Sequence, residues 1–403
     1  MSPPAEKLLL VLNCGSSSIK FALFDGALSP LPRQPLWSGK VEEVTGPAPR
    51  YEENGCNRRV AAFAPEHPYT DALMQIGERL PSQLGTRRLA AVAHRVVHGG
   101  SKYAAPVLID TNSLNDLRTY IPLAPLHQPF ALEVIEALLA LHPELPQIAC
   151  FDTAFHRTLP KVERMLPLPR ALTKTGLRRY GFHGLSYAYM ARALEERHGA
   201  RARGRVVCAH LGSGASLCAM RDLRSVATTM GFSALDGLMM GTRCGALDPG
   251  VVLYLMQTRG LGIDQVGHLL YHESGLLGVS GISSDPRDLL RREAEPAARD
   301  ALSLYVHRIV REVGALTATL GGLDMLVFTA GVGEHNAIIR ERVCAALGWL
   351  GVRLDSQANA ANAAVISNVD SAVRVAVEPT NEEWVAATDA LALLDAQSRS
   401  PRA

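Results

Sequence analysis

The sequence predicts an α/β protein of two domains laid out on a duplicated plan, and three observations lead there. A chain of 403 residues exceeds what one ordinary core accommodates. Apolar strand-like runs alternate with segments of helical periodicity, the pattern of a sheet covered on both faces. A strand, small-residue turn, strand unit occurs twice, its copies starting about 200 residues apart.

In the first half, Leu8 to Leu12 is a continuous apolar run, Asn13 to Ser18 breaks it, and Ile19 to Asp25 resumes it. A third strand run, Leu36 to Val44, follows a proline-punctuated loop. Apolar residues recur at helical spacing from Tyr69 to Leu80 and from Phe130 to Leu141, with strand candidates Ala90 to Val97 and Gln147 to Phe151 around them. The second cycle opens with the strand Arg205 to His210, the turn Gly212 to Ser216, and the strands Leu217 to Arg221 and Ser225 to Thr229. Helices are expected at Pro249 to Gln257, Pro286 to Arg292 and Glu295 to Leu320. The strand Met325 to Thr329 runs into a turn at Gly331 to Gly333, with a helix beginning near Asn336. After the strand Val373 to Val377, the amphipathic segment Glu382 to Asp395 is expected to return to the first domain, with Thr380 as N-cap and Glu383 closing a capping box. The domains are thus 1–153 plus 384–403, and 154–383.

Composition removes several function classes. The charge of +2 leaves no basic footprint, so no nucleic-acid partner is expected. Lys7 precedes an apolar run too short for a signal-peptide core, and nothing approaches the roughly 20 apolar residues of a membrane span. Seven cysteines without a C-x-x-C pair argue against a disulfide framework or structural zinc, and place the chain in a reducing cytoplasm.

Small residues at Gly15, Ser16, Ser17 and Ser18 let backbone N–H groups approach a phosphate, and Lys20 adds a cation. Gly212 to Ser216 and Gly331 to Gly333 repeat that chemistry. One glycine-rich turn is usually only a turn; three, each following a strand, are a stronger signal. Neither G-x-x-x-x-G-K-[ST] nor G-x-G-x-x-G is present. Arg95 stands between His94 and His98 ahead of Gly99 and Gly100, and Arg243 lies between Gly241 and Gly245. An isolated arginine is most often a structural ion pair, but glycine beside both clears room for an anion that guanidinium groups bind in pairs. His183 is glycine-flanked and His127 is set among prolines; the spacing is not H-E-x-x-H. Asp152 ends an apolar strand, where α/β sheets place catalytic side chains, and Glu382 follows another such run as a hard oxygen ligand suited to Mg²⁺.

Taken together, Asn13 to Lys20, His94 to Gly100, Leu123 to Pro129, Phe151 to His156, Arg179 to Gly184, His210 to Ser216, Met239 to Gly245, Val279 to Ser283, Phe328 to Glu334 and Pro379 to Glu383 resemble the acetokinase family of the acetate and sugar kinase, Hsp70 and actin superfamily. The resemblance implies two ribonuclease-H-like domains, each on a mixed five-stranded sheet, with an interdomain cleft, and a homodimer. It implies reversible transfer of the ATP γ-phosphoryl group to acetate, giving acetyl phosphate and ADP, with Mg²⁺, or Mn²⁺ in its place. Asn13, Ser16, Ser18 and Lys20 then sit near the phosphates, as do His210, Leu211, Gly212, Ser213 and Gly214. Arg95 and Arg243 grip the acetate carboxylate and the transferring group, His183 stabilises the transition state, and His127 supports it. Asp152 is catalytic, and Asn13 and Glu382 hold the metal. Val97, Leu126 and Phe182 wall the methyl pocket. Asp285, Pro286 and Arg287, with Gly331, Val332, Gly333, Glu334 and His335, hold the adenosine.

The sequence departs from the family pattern at several of these places. Ser213 stands where asparagine is usual, Pro286 replaces an aromatic, and His335 replaces asparagine. Leu185 and Tyr187 replace threonine and histidine, and Ala234 stands where a proline is frequent. Two other readings stay open: a propionate or butyrate kinase of the same family, because one methylene is worth only about 1–3 kcal/mol, and an actin-like nucleotide switch without chemistry.

Overall fold

The computed structural model describes residues 7–15, 17–59, 63–125 and 127–399. Two compact units emerge: one runs up to Ala154 and resumes at Asn381, the other spans Phe155–Thr380. Ala154 and residues 381–383 therefore fall with the first unit.

The first unit carries an eight-stranded sheet of β1 (Leu8–Cys14), β2 (Ser18–Asp25), β3 (Trp37–Glu42), β4 (Arg50–Glu53), β5 (Cys56–Arg59), β6 (Leu89–Val96), β7 (Val107–Leu108) and β8 (Gln147–Phe151). Its order is β5-β4-β3-β2-β1-β6-β8-β7. The second unit carries five strands, β9 (Val206–Leu211), β10 (Ala215–Arg221), β11 (Arg224–Thr228), β12 (Met325–Thr329) and β13 (Arg374–Val377), ordered β11-β10-β9-β12-β13. The central five strands of the first sheet repeat the second. In both, the opening strand pairs antiparallel with its hairpin partner and parallel with a later strand, which pairs parallel with a fifth. The expectation of five strands per domain is corrected for the first unit, which adds the polar hairpin β4–β5 and the two-residue β7.

The central strands β1, β8, β9 and β12 are buried at every position, which is why they read as unbroken apolar runs. The helix Pro296–Leu320 covers its sheet with Ala298, Ala301, Leu302, Tyr305, Ile309, Val313, Leu316 and Leu320, a stripe of period 3.6. The terminal helix Glu382–Arg399 packs on β1, β6 and β8. Its N-cap is Asn381, whose Oδ1 accepts from the Trp384 N–H at 3.0 Å, rather than Thr380. Asn381 Nδ2 and Trp384 Nε1 donate to the carbonyls of Arg33 and Leu31, which pins the helix start to the β2–β3 connection. Among the described residues no helix is long and apolar enough to cross a membrane.

Candidate active site

In the first unit the site is built at the ends of parallel strands. Asn13 on β1 is in register with Arg95 on β6, and Arg95 with Cys150 on β8, so the three share a row. Cys150 Sγ lies against the Ala386 carbonyl of the terminal helix, so that row faces the helix whose first residues are Glu382 and Glu383. Asp152 follows β8 and is fully buried. Arg95 donates from Nε to Asp152 Oδ1 at 3.0 Å, from Nη2 to Asp152 Oδ2 at 2.5 Å and from Nη1 to Asn13 Oδ1 at 3.0 Å. Its Nε also lies 3.7 Å from Glu382 Oε2, and Asn13 Nδ2 donates to Glu383 Oε1 at 3.3 Å.

Burial opposes the charge on Arg95, but Asp152 and Glu382 outweigh it and raise its pKa further. Burial pushes the Glu382 carboxyl well above the usual carboxylate range; Arg95 opposes that, while Asp152 and Glu383 reinforce it. Asp152, Glu382 and Glu383 thus all bear on Arg95, with Lys20 the second cation nearby, an acidic neighbourhood that suits a bound cation. Among the described residues no group of three His, Cys, Asp or Glu side chains is placed to hold a metal ion. The oxygen donors fit Mg²⁺ in its usual manner, one or two carboxylates completed by water and substrate phosphates. Of the other residues expected here, Ser18 and Lys20 open β2, Val97 is buried just after β6, and His127 precedes the helix Gln128–Leu141. Ser16 and Leu126 lie outside the described residues.

In the second unit, His183 begins the helix Gly184–His198 in the left-handed conformation, φ 57°. Its ring stacks on His210 at 4.2 Å between centroids, and its Nδ1 meets Ser216 Oγ at 2.8 Å. His156 sits beneath this segment with Nε2 at 2.8 Å from the Phe182 carbonyl and Nδ1 at 2.8 Å from Ser225 Oγ. A carbonyl only accepts, so Nε2 carries a hydrogen, and burial lowers the ring's pKa to about 4, which keeps it neutral at neutral pH. Gly212 and Gly214 close the β9–β10 turn through a 3.1 Å backbone bond. A Cβ at Gly214 would stand 3.3 Å from His183 Nε2 and 3.6 Å from Arg243 Nη1, so the imidazole and the guanidinium converge on this glycine. Arg243 Nη1 is held by the Ala234 carbonyl at 3.1 Å. Phe182 is buried in this unit, so the three residues expected to wall a methyl pocket do not all belong to one unit.

Asp285 accepts from the Arg287 N–H and chelates the Arg287 guanidinium, which lowers its pKa. It N-caps the helix Pro286–Arg291, and Pro286 takes the first helical position, which proline favours. The expected Gly331–Gly333 turn is instead a short helix, Ala330–His335. Glu334 Oε1 accepts from Ala330 N at its start, and the buried Arg340 donates to the carbonyls of Gly333 and Glu334 at its end. Glu334 also accepts from Thr380 N, Thr380 Oγ1 donates to Ser186 Oγ, and Ser186 meets His210 Nδ1 at 2.9 Å. Ser186 carries no local sequence signal, because its partners His210 and Thr380 lie far along the chain, and the sequence pattern does not single out Arg340 either.

A model of the acetokinase family matches residues 8–388 of the chain. An acetate kinase of Rhodopseudomonas palustris is 51% identical over 394 residues, covering 96% of this chain and 98% of that protein. Among solved structures, the acetate kinase of Porphyromonas gingivalis has a TM-score of 0.85 at 37% identity, covering 96% of this chain and 100% of that one. A propionate kinase from Francisella tularensis has a TM-score of 0.87 at 34% identity, covering 95% and 98%.

Proposed function

The chain belongs to the acetokinase family, and from that premise we propose that it transfers the γ-phosphoryl group of ATP to acetate, reversibly, giving acetyl phosphate and ADP. The observation that carries the reading is the Arg95 network. An arginine fixed at both faces by Asp152 and Asn13 is pre-set to receive an anion, with carboxylates for a metal beside it.

Acetate is already a nucleophile at neutral pH, so positioning and charge neutralisation supply most of the rate. Arg95 holds the acetate carboxylate, and Asp152 holds Arg95. An acetate oxygen forms the new bond to the γ-phosphorus as the bond to the β,γ-bridging oxygen breaks, with ADP leaving. His183 and Arg243, converging beside Gly214, stabilise the charge on the transferring group. Bound Mg²⁺ supplies further neutralisation of the phosphates, and Glu382 and Asn13 are the residues that would hold it. Asn13, Ser16, Ser18 and Lys20, with His210 to Gly214, are assigned to the phosphates. Asp285 to Arg287 and Gly331 to His335 are assigned to the adenosine. Val97, Leu126 and Phe182 are assigned to the acyl methyl, and His127 to supporting the transition state.

Transfer is direct: ATP made chiral at the γ-phosphate yields inverted acetyl phosphate, and net retention excludes the single-step path. Ala234, beside Arg243, gives the runner-up its support, since a smaller residue there enlarges an acyl site. Comparing kcat/KM for acetate, propionate and butyrate tests it, and a propionate preference overturns the acetate assignment. The working form is a homodimer. Its support is the helix Pro249–Gln257, which buries none of its residues and exposes Val251, Leu253, Tyr254 and Met256. We assign the protein to the cytoplasm.

A further inference from the structure

His156 is a buried imidazole to which the transfer chemistry gives no part. Its single hydrogen, on Nε2, goes to the Phe182 carbonyl. Nδ1 is left with a lone pair, so the hydroxyl of the fully buried Ser225, 2.8 Å away, donates to it. The Thr158 hydroxyl bonds the Ser225 carbonyl at 2.8 Å, which ties Ser225 back to the segment that carries His156. The chain above this ring is bent on both sides of Phe182, with Gly181 at φ 82° and His183 at φ 57°. A Cβ at Gly181 would come within 2.5 Å of His156 Cδ2, so the backbone crosses the ring edge in direct contact. For His183, which is not a glycine, the left-handed conformation costs roughly 1–2 kcal/mol and persists only where neighbours hold it.

We propose that His156 is a positioning residue that locks the Phe182–His183 peptide and so aims the His183 imidazole at the point beside Gly214 where Arg243 also arrives. The inference rests on the phosphotransferase reading above. The Phe182 carbonyl belongs to the peptide plane from which the φ of His183 is measured. A donor that fixes this carbonyl therefore fixes the starting direction of the His183 side chain. Without that bond the plane is free to turn, and His183 relaxes towards the negative φ that ordinary residues adopt. Its ring then swings away from Gly214 and Arg243, and a displacement of that kind is costly for a group that must meet a transferring phosphoryl. Phe182, expected to wall the acyl site, is carried by the same peptide.

The test is steady-state acetyl phosphate formation by wild type, His156→Gln, His156→Met, His183→Ala and the His156→Met/His183→Ala double variant. Glutamine and methionine are alike in length, but only glutamine keeps an N–H for the Phe182 carbonyl. The expected result for His156→Met is a fall in kcat of about 10²-fold, with KM for ATP within about twofold. His156→Gln should recover at least about tenfold of that loss, which a role in packing alone does not allow. In the His183→Ala background, His156→Met should lower kcat by less than about twofold, because His156 acts through that imidazole. His156→Leu carries the comparison with glutamine if the methionine variant does not fold. A kcat within about twofold of an active wild type overturns the inference alone. Equal losses in the glutamine and methionine variants, or a loss that persists without His183, do the same. Wild-type protein that makes no acetyl phosphate overturns the phosphotransferase reading, and the inference with it.

Discussion

Arg95 and Asp152 form a two-pronged ion pair at the ends of neighbouring parallel strands, Nε to Oδ1 at 3.0 Å and Nη2 to Oδ2 at 2.5 Å. The pair is nearly closed to water, with the arginine side chain 14% exposed and the aspartate 1%. Its geometry predicts that Arg95→Lys is not conservative, since an ammonium cannot make both contacts. Lysine there should lower kcat/KM for acetate by about 10²-fold or more. Asp152→Ala leaves the guanidinium only Asn13 and the more distant Glu382 and should destabilise the first unit by roughly 3 kcal/mol. Urea denaturation checks the second effect separately from catalysis.

Gly214 predicts a purely local defect. A methyl group there reaches 3.3 Å from His183 Nε2, tighter than ordinary contact, and 3.6 Å from Arg243 Nη1. Gly214→Ala should lower kcat by about 10²-fold, because small displacements of catalytic groups are costly, while the melting temperature stays within a few degrees. An unaltered kcat would separate this turn from the chemistry.

The strands that place these residues are legible in the sequence because parallel strands buried on both faces are apolar throughout. The hairpin β4–β5 is missed by that criterion, since Arg50 to Arg59 is polar. Its signal is of another kind. Asn54-Gly55, at φ 47° and 80°, is the dipeptide that a two-residue turn with both residues at positive φ requires. The helix Ala330–His335 is unreadable locally because two glycines in six residues spell a turn. Arg340 and Glu334 hold it through contacts made only after folding. Asp152 and Glu382 are found by their position at strand ends and Arg95 by the glycines beside it, whereas Tyr187 appears only as a departure from the family pattern.

Two buried histidines make stability depend on pH. Burial lowers both His94 and His156 from 6.5 to about 4, so each is neutral in the folded chain and protonates more readily when unfolded. The unfolded state then binds more protons between those values. The stability they confer is complete above pH 6.5 and is lost progressively as pH falls towards 4. At pH 5 each should have cost about 2 kcal/mol relative to pH 7.5. The urea midpoint should drop accordingly, and His94→Gln should shrink its unit's share of the drop.

The exposed apolar helix Pro249–Gln257 predicts a self-associating surface. Light scattering should give twice the chain mass of 43.4 kDa. Leu253→Asp and Tyr254→Asp, at positions 55% and 52% exposed, should yield folded monomers. Monomeric wild-type protein at micromolar concentration would remove this helix from any dimer.

Trapping acetyl phosphate as its hydroxamate measures phosphoryl transfer to a carboxylate without intermediaries. With acetate, ATP and Mg²⁺, wild-type protein should form hydroxamate steadily, and Arg243→Ala, folded and soluble, should turn over roughly 10³-fold more slowly. ATP binding without hydroxamate from acetate would exclude this transfer, and undiminished turnover by Arg243→Ala would remove that guanidinium from it.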